Sequence, residues 1–142
     1  MKLKFIGDIS SMPLSIREKI DKAEELTKDK TGVQVNIAMN YGGRNELVNA
    51  VKQIASKCIS GEINADNINE EIIENFLYTK DQPDPDIVIR PSGEIRISNF
   101  LLWQSAYSEF IFTDTLWPDF SKSDIDRAIE EYSKRNRRFG GI

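Results

Sequence analysis

One stretch of ten residues concentrates groups that could bind phosphate: Arg90-Pro91-Ser92-Gly93-Glu94-Ile95-Arg96-Ile97-Ser98-Asn99. Arg90 closes an apolar run, Asp86-Ile87-Val88-Ile89, with the length and β-branched content of a buried strand. Gly93 permits a tight turn just beyond it. Arg96 and Ser98 are two residues apart, so in an extended segment they point to the same side. Two guanidinium groups and a hydroxyl can grip a diphosphate through charge-assisted, often bidentate hydrogen bonds. The same residues also read as a surface loop whose arginines pair with Glu94 and Asp86.

Glu109 stands between Ser108 and the apolar run Phe110-Ile111-Phe112. A carboxylate beside a buried strand can hold magnesium next to a diphosphate. On an edge strand it would simply face water. Asp114 and Asp119 read more simply as turn residues. Asn40-Tyr41-Gly42-Gly43-Arg44 looks like a glycine-rich phosphate loop between strand and helix. It has neither the lysine and spacing of a P-loop nor GxGxxG, which favours a structural turn. Arg137-Arg138-Phe139-Gly140-Gly141 has three readings: a basic tail for nucleic acid, a frayed helix end, or an arm reaching into a partner subunit.

These groups must be positioned by alternating strands and helices. Leu3, Phe5 and Ile6 predict a short strand ended by Gly7-Asp8. Pro13 suits a helical first turn, and Ile16, Ile20, Ala23 and Leu26 repeat at helical spacing up to Thr31-Gly32. Val33 to Met39 alternates as a strand. A second helix runs from about Asn45 to Gly61, with Leu47, Val48, Val51, Ile54, Ala55 and Cys58 inward. A shorter third helix holds Ile72, Ile73, Phe76 and Leu77. Pro83 and Pro85 make an extended linker to the Asp86–Arg90 strand. Phe110-Ile111-Phe112 reads as a buried strand, and Ser121 or Ser123 caps a last helix with Ile125, Ala128, Ile129 and Tyr132 on one face. Basic residues are expected in its final turn, complementing the helix dipole. This order predicts an α/β fold with a mostly parallel sheet flanked by helices. Such sheets bind ligands beyond the carboxyl ends of their strands. The sheet is expected to be incomplete, leaving open what covers the first strand's edge.

Composition narrows the chemistry. The 142 residues are 39% hydrophobic and 30% charged, the balance of an ordinary globular domain. No histidine is present, which excludes a serine–histidine triad and histidine-ligated zinc within the chain. The single cysteine, Cys58, can form no internal disulfide and reads as a small buried thiol. Any metal must be held by oxygen, favouring magnesium or calcium. A net charge of -4 argues against nucleic acid as a partner. No apolar run is long enough to cross a bilayer, and the first residues are too charged for a signal peptide, so a cytoplasmic location is expected.

Several segments closely resemble the cis-prenyltransferases of the undecaprenyl diphosphate synthase type. These are Asp86-Ile87-Val88-Ile89-Arg90, Ser92-Gly93-Glu94, Arg96 through Gln104, Ser108-Glu109, Phe112-Thr113-Asp114 and Leu116 through Phe120. Phe5-Ile6-Gly7-Asp8, Asn36-Ile37-Ala38, Asn40 through Arg44 and Arg137 through Gly141 look like the same family, so the similarity runs over essentially the whole chain. The resemblance implies condensation of isopentenyl diphosphate onto an allylic diphosphate with cis geometry and magnesium, in bacteria for the cell-wall carrier lipid. It implies that Arg90, Arg96, Ile97 and Ser98 bind isopentenyl diphosphate and that Glu109 helps hold magnesium. Arg138, Phe139 and Gly140 would close over the diphosphates at a dimer interface. Peripheral contact with the inner membrane, through the lipid product, is a further implication.

The chain also departs from the family pattern. The phosphate loop with an Asp-Gly-Asn-Gly-Arg-Trp pattern and the Phe-Ser segment followed by asparagine do not occur, and they carry the catalytic aspartate and asparagine. Pro91 stands where threonine is commoner, and Ile95 where some members have histidine. Residues 1–142 are therefore expected to be the carboxyl-terminal portion of one domain, with no catalytic residue retained and little activity alone. The other expectation is a non-catalytic partner subunit of a prenyltransferase heteromer, and as assembly the resemblance implies a homodimer or a heteromer with a full-length family member.

Overall fold

The computed structural model describes residues 1–135. The chain divides into two compact units, Met1–Gln82 and Pro83–Ile142. Among the described residues the order is strand, helix, strand, two helices, two strands and a last helix, and both strand pairings are parallel. The expected sheet takes the form of two hydrogen-bonded pairs among the described residues, one in each unit.

In the first unit, β1 (Lys2–Ile6) pairs with β2 (Gln34–Ala38), Lys2 opposite Gln34. Only alternate amides of β1 face β2 in a parallel ladder. The amides of Leu3 and Phe5 point to the outer edge, and α1 (Leu14–Thr27) satisfies them there. Leu3 donates to Thr27 Oγ1 at 3.1 Å and Phe5 to Glu24 Oε1 at 2.7 Å. Two polar side chains of one helix thus blunt the edge, since an unpaired buried amide is costly. Gly7 follows β1 at φ 127°, and a Cβ there would stand 2.0 Å from the Met39 carbonyl oxygen, so no side chain fits.

Ile20 is the buried residue of α1, with Ile16, Ala23 and Thr27 half-buried around it. Leu26, expected inward, is exposed, because the helix turns its Ile20–Thr27 side to β1. In α2 (Gly43–Ile59) the buried face is Gly43, Glu46, Ala50 and Ile54. Val48, Val51 and Ala55 were expected inward and are exposed, and Cys58 is half-buried rather than buried. The face that won contains a carboxylate. Glu46 accepts from Tyr41 Oη at 2.5 Å and from the Tyr78 amide at 2.8 Å, so α2 is oriented by a polar anchor. The third helix, α3 (Glu70–Glu74), is capped by Asn69 and ends before Phe76 and Leu77, although Leu77 is buried.

In the second unit, β3 (Ile87–Arg90) pairs with β4 (Glu109–Phe112), Ile87 opposite Glu109 and Arg90 opposite Phe112. Alternation sends Ile89 and Ile111 to one face, Val88, Arg90, Phe110 and Phe112 to the other. Helix α4 (Lys122–Ser133) lies on the Ile89–Ile111 face, with Ala128 buried against it. Ile125 and Ile129 were expected on this inner face but are exposed, and Asp124 is buried in their place. No basic residue lies in the last turn of α4. Lys134 is its C-cap and Arg135 follows it.

Ser121, not Ser123, caps α4, in a capping box with Asp124. Hydrogen bonds from the Ser121 hydroxyl and amide, then Thr115 and Arg127, hold the Asp124 carboxyl well below its ordinary value of 3.8. The folded chain therefore binds fewer protons than the unfolded one. The stability this supplies is present above that ordinary value and fades as pH falls below it. Asp124→Asn is expected to flatten the acid limb of a plot of unfolding midpoint against pH. An acid limb as steep as wild type would count against this role.

Candidate functional site

Arg90 ends β3, and the chain then folds back along the segment after β4. The Ser92 amide donates to the Thr115 carbonyl and the Gly93 amide to the Thr113 carbonyl, both at 2.9 Å. Ser92, Gly93, Ser98, Asn99 and Leu101 all have positive φ, a conformation uncommon outside glycine. Such backbone persists where surrounding bonds fix it. Here Arg90 supplies them. Its Nη1 donates to the Arg96 carbonyl at 2.6 Å and to Ser98 Oγ at 2.9 Å. Arg90, Arg96 and Ser98, eight residues apart at the ends, are thereby drawn into one loop.

The two readings of this loop both leave a trace. Arg96 does pair with Glu94, with both side chains exposed. An exposed pair of this kind contributes little and yields readily to a stronger anion. Beneath the loop is a pocket of about 180 Å³. Its wall is Val88, Ile97, Phe100, Phe110 and Phe112, with Arg90, Arg96 and Ser98 also lining it. The Phe110 and Phe112 rings stack with centroids 6.2 Å apart. Cations and a hydroxyl thus stand beside an apolar cleft, an arrangement that suits an anion carrying a hydrocarbon group. Ile97 is part of that wall and partly exposed.

Glu109 is placed elsewhere. It opens β4 opposite Ile87, so it lies about 10 Å along the strands from the level of Arg90. It alternates with Ile111 and so belongs to the α4 face. There its Oε2 accepts from Arg135 Nη1 at 2.7 Å. Arg135 also donates to the Phe110 carbonyl at 3.1 Å and to Glu131. Glu109 first, then Glu131, holds the Arg135 guanidinium more firmly protonated than usual. Among the described residues no group of three carboxylate, histidine or cysteine side chains could hold a metal ion. What Glu109 offers is one hard oxygen donor. That suits magnesium, which commonly takes one or two carboxylates and completes its shell with phosphate and water.

The remaining candidates are simpler. Asp114 lies in the irregular segment after β4, its Oδ1 3.0 Å from where a Cβ on Gly93 would stand, and Asp119 lies in a short 3-10 helix, Trp117–Asp119. Gly42 is the N-cap of α2, so Asn40–Gly43 carries the chain from β2 into that helix. Arg138, Phe139 and Gly140 lie outside the described residues. Sequence reasoning missed Glu46 and Arg135. An i,i+4 spacing from Glu131 to Arg135 was the one local signal for the latter. Among the described residues, no helix is long and apolar enough to cross a membrane.

Comparison with known proteins covers nearly the whole chain. The family model described as "Putative undecaprenyl diphosphate synthase" matches residues 1–140. An isoprenyl transferase of Clostridium perfringens is 51% identical over 142 residues, covering 100% of this chain and 56% of that protein. One from Clostridium tetani is 50% identical over 137 residues, 96% of this chain and 54% of that protein. The crystal structure of lavandulyl diphosphate synthase from Lavandula x intermedia, in complex with dimethylallyl diphosphate, superposes with a TM-score of 0.95 at 39% identity. That match covers 99% of this chain and 60% of the solved one. The chain thus spans little more than half the length of the curated relatives it matches. Over that span the agreement is continuous in sequence and in backbone, and the chain belongs to the cis-prenyltransferase family of undecaprenyl diphosphate synthases.

Proposed function

We propose that this chain forms the isopentenyl diphosphate site of a prenyltransferase that extends an allylic diphosphate with cis geometry, supplying a cell-wall carrier lipid. The observation that carries this reading is the Arg90 guanidinium, which gathers Arg96 and Ser98 into one loop over an apolar pocket. In the condensation a new carbon–carbon bond forms as the allylic carbon–oxygen bond breaks, the allylic substrate's diphosphate group leaves, and a proton is lost from the isopentenyl unit. The substrate's own diphosphate must be held throughout, away from bulk water. Arg96 would exchange Glu94 for a diphosphate oxygen, and the Ser98 hydroxyl would donate to another. The Phe110–Phe112 wall and Ile97 would take the five-carbon group. Glu109 would contribute one carboxylate to magnesium, which when bound neutralises diphosphate charge. The dimethylallyl diphosphate held by the lavandulyl relative belongs to the same ligand class. A homodimer, or a pair with a full-length family member, would act in the cytoplasm, touching the membrane through its product.

Calorimetric titration with isopentenyl diphosphate, with and without magnesium, tests this. Saturable binding is expected, and Arg96→Ala is expected to weaken it at least about tenfold through loss of a charge-assisted bond. Binding that ignores the substitution would remove Arg96 from the site.

A further inference from the structure

The pocket beneath the diphosphate loop is lined by the phenyl rings of Phe100, Phe110 and Phe112, and no carboxylate is among its described lining residues. The Phe110 and Phe112 rings lie nearly parallel, at 14°. A stacked pair engages one face of each ring and leaves the other for a third group. The register sets Phe112 opposite Arg90 and Phe110 opposite Val88, all on the sheet face away from α4. Arg90 is itself committed to the Arg96 carbonyl and the Ser98 hydroxyl. We infer that Phe112, with Phe110 beside it, stabilises the positive charge that develops on the isopentenyl unit during condensation. The inference rests on the proposed assignment of this pocket to isopentenyl diphosphate.

In that reaction the alkene electron pair makes the new bond, from the terminal alkene carbon to the allylic carbon. The allylic carbon–oxygen bond breaks and its pair leaves with the diphosphate group. The inner alkene carbon is left electron-poor. The neighbouring methylene then gives a proton to an oxygen of the departed diphosphate, and its carbon–hydrogen pair closes the new double bond. Until that proton leaves, positive charge rests on the inner carbon. Only two methylene groups separate this carbon from the substrate's own diphosphate, so a diphosphate held at the Arg90–Ser98 loop keeps it near the level of Phe112. Arg90 and Arg96 place two positive charges at the loop, with Glu94 beside Arg96. A bound diphosphate brings several negative charges and outweighs both arginines. Below it, the ring faces attract a cation through their quadrupole, more strongly where water is excluded. The attraction appears only as the charge forms, so it favours the transition state over the bound substrate. An aliphatic wall would pack the five-carbon group without it.

Dimethylaminoethyl diphosphate provides the test. It has the heavy-atom skeleton of isopentenyl diphosphate, with a protonated nitrogen in place of the inner alkene carbon. Calorimetry gives the affinity of both ligands, with magnesium, for wild type, Phe112→Leu and Phe110→Leu. The ratio of the two affinities, ammonium ligand over isopentenyl diphosphate, is expected to fall about fivefold in Phe112→Leu and about twofold in Phe110→Leu. Rings that serve only as packing would weaken both ligands in proportion. An unchanged ratio, or no binding of the ammonium ligand where isopentenyl diphosphate binds, would overturn the inference. Should the leucine variants fail to fold, a ring-fluorinated phenylalanine in place of Phe112 keeps the shape and weakens the quadrupole. Its ratio is expected to fall about threefold, and no fall there would be equally fatal. Failure of the proposed function looks different, since isopentenyl diphosphate would then not bind wild type at all. Binding of isopentenyl diphosphate with a ratio indifferent to the rings sinks only the role of Phe112 and Phe110.

Discussion

Arg90→Ala is expected to weaken isopentenyl diphosphate binding by about 100-fold or more, a larger loss than Arg96→Ala gives. The two arginines differ in what they support. Arg96 contributes a charge from an exposed position, and its partner Glu94 is a neighbour in the same loop. Arg90 is half-buried and binds both the Arg96 carbonyl and the Ser98 hydroxyl. Removing it deletes one cation and also frees the backbone that orients the other two groups. Several residues of that backbone have positive φ and do not hold the conformation by preference. Arg90→Lys separates the two contributions. A lysine keeps the charge but lacks the planar fork, so it should recover only part of the affinity. Calorimetry on all three proteins, with thermal melts to confirm folding, decides the matter. If lysine restores wild-type affinity, Arg90 acts as a charge and the loop needs no bridge.

Glu46→Ala is expected to destabilise the first unit by about 3 kcal/mol, among the larger effects a single substitution can have. Glu46 is 1% exposed and receives both the Tyr41 hydroxyl and the Tyr78 amide. Tyr41 lies in the turn after β2, and the Tyr41 and Tyr78 rings meet edge to face with centroids 6.2 Å apart. Asn49 Nδ2 donates to Tyr78 Oη at 2.7 Å, so α2 grips Tyr78 at two points. Alanine leaves two donors without this acceptor and opens a void beside them. Glu46→Gln keeps a carbonyl for the Tyr78 amide, and the tyrosine hydroxyl can rotate to accept instead. It should cost about 1 kcal/mol. Urea unfolding midpoints at constant slope measure both. Equal midpoints for wild type and Glu46→Ala would show that the turn is held by its rings alone.

Much of this protein was legible before folding is considered. Among the described residues, the four strands, the three longer helices and their order follow from alternation, helical spacing and punctuation by glycine and proline, all of which depend on near neighbours. The loop from Arg90 to Ser98 was legible for the same reason: its cations lie on one short stretch at a strand's end. The family was carried by long runs of identical residue types.

Tertiary structure decided which side of each helix is covered. Spacing in α4 offered Ile125 and Ile129, but the chain buries Asp124 and Ala128, because a capping carboxylate satisfied by Ser121 and Thr115 fits closely where two isoleucines would not be required. In α2 a buried glutamate took precedence over Val48 and Val51, since the Tyr41 hydroxyl, five residues before it, and the Tyr78 amide, 32 residues beyond it, both donate to it. The β1 edge is closed by Thr27 and Glu24, 24 and 19 residues from their partners. Glu109 meets Arg135 across 26 residues and on the opposite face from Arg90. Nothing local encodes the pairings of Thr27, Glu24, Tyr78 and Arg135 with their remote partners. Local preference sets the period of a segment, whereas the partner of a buried polar group is settled only when remote groups arrive together and each must be satisfied.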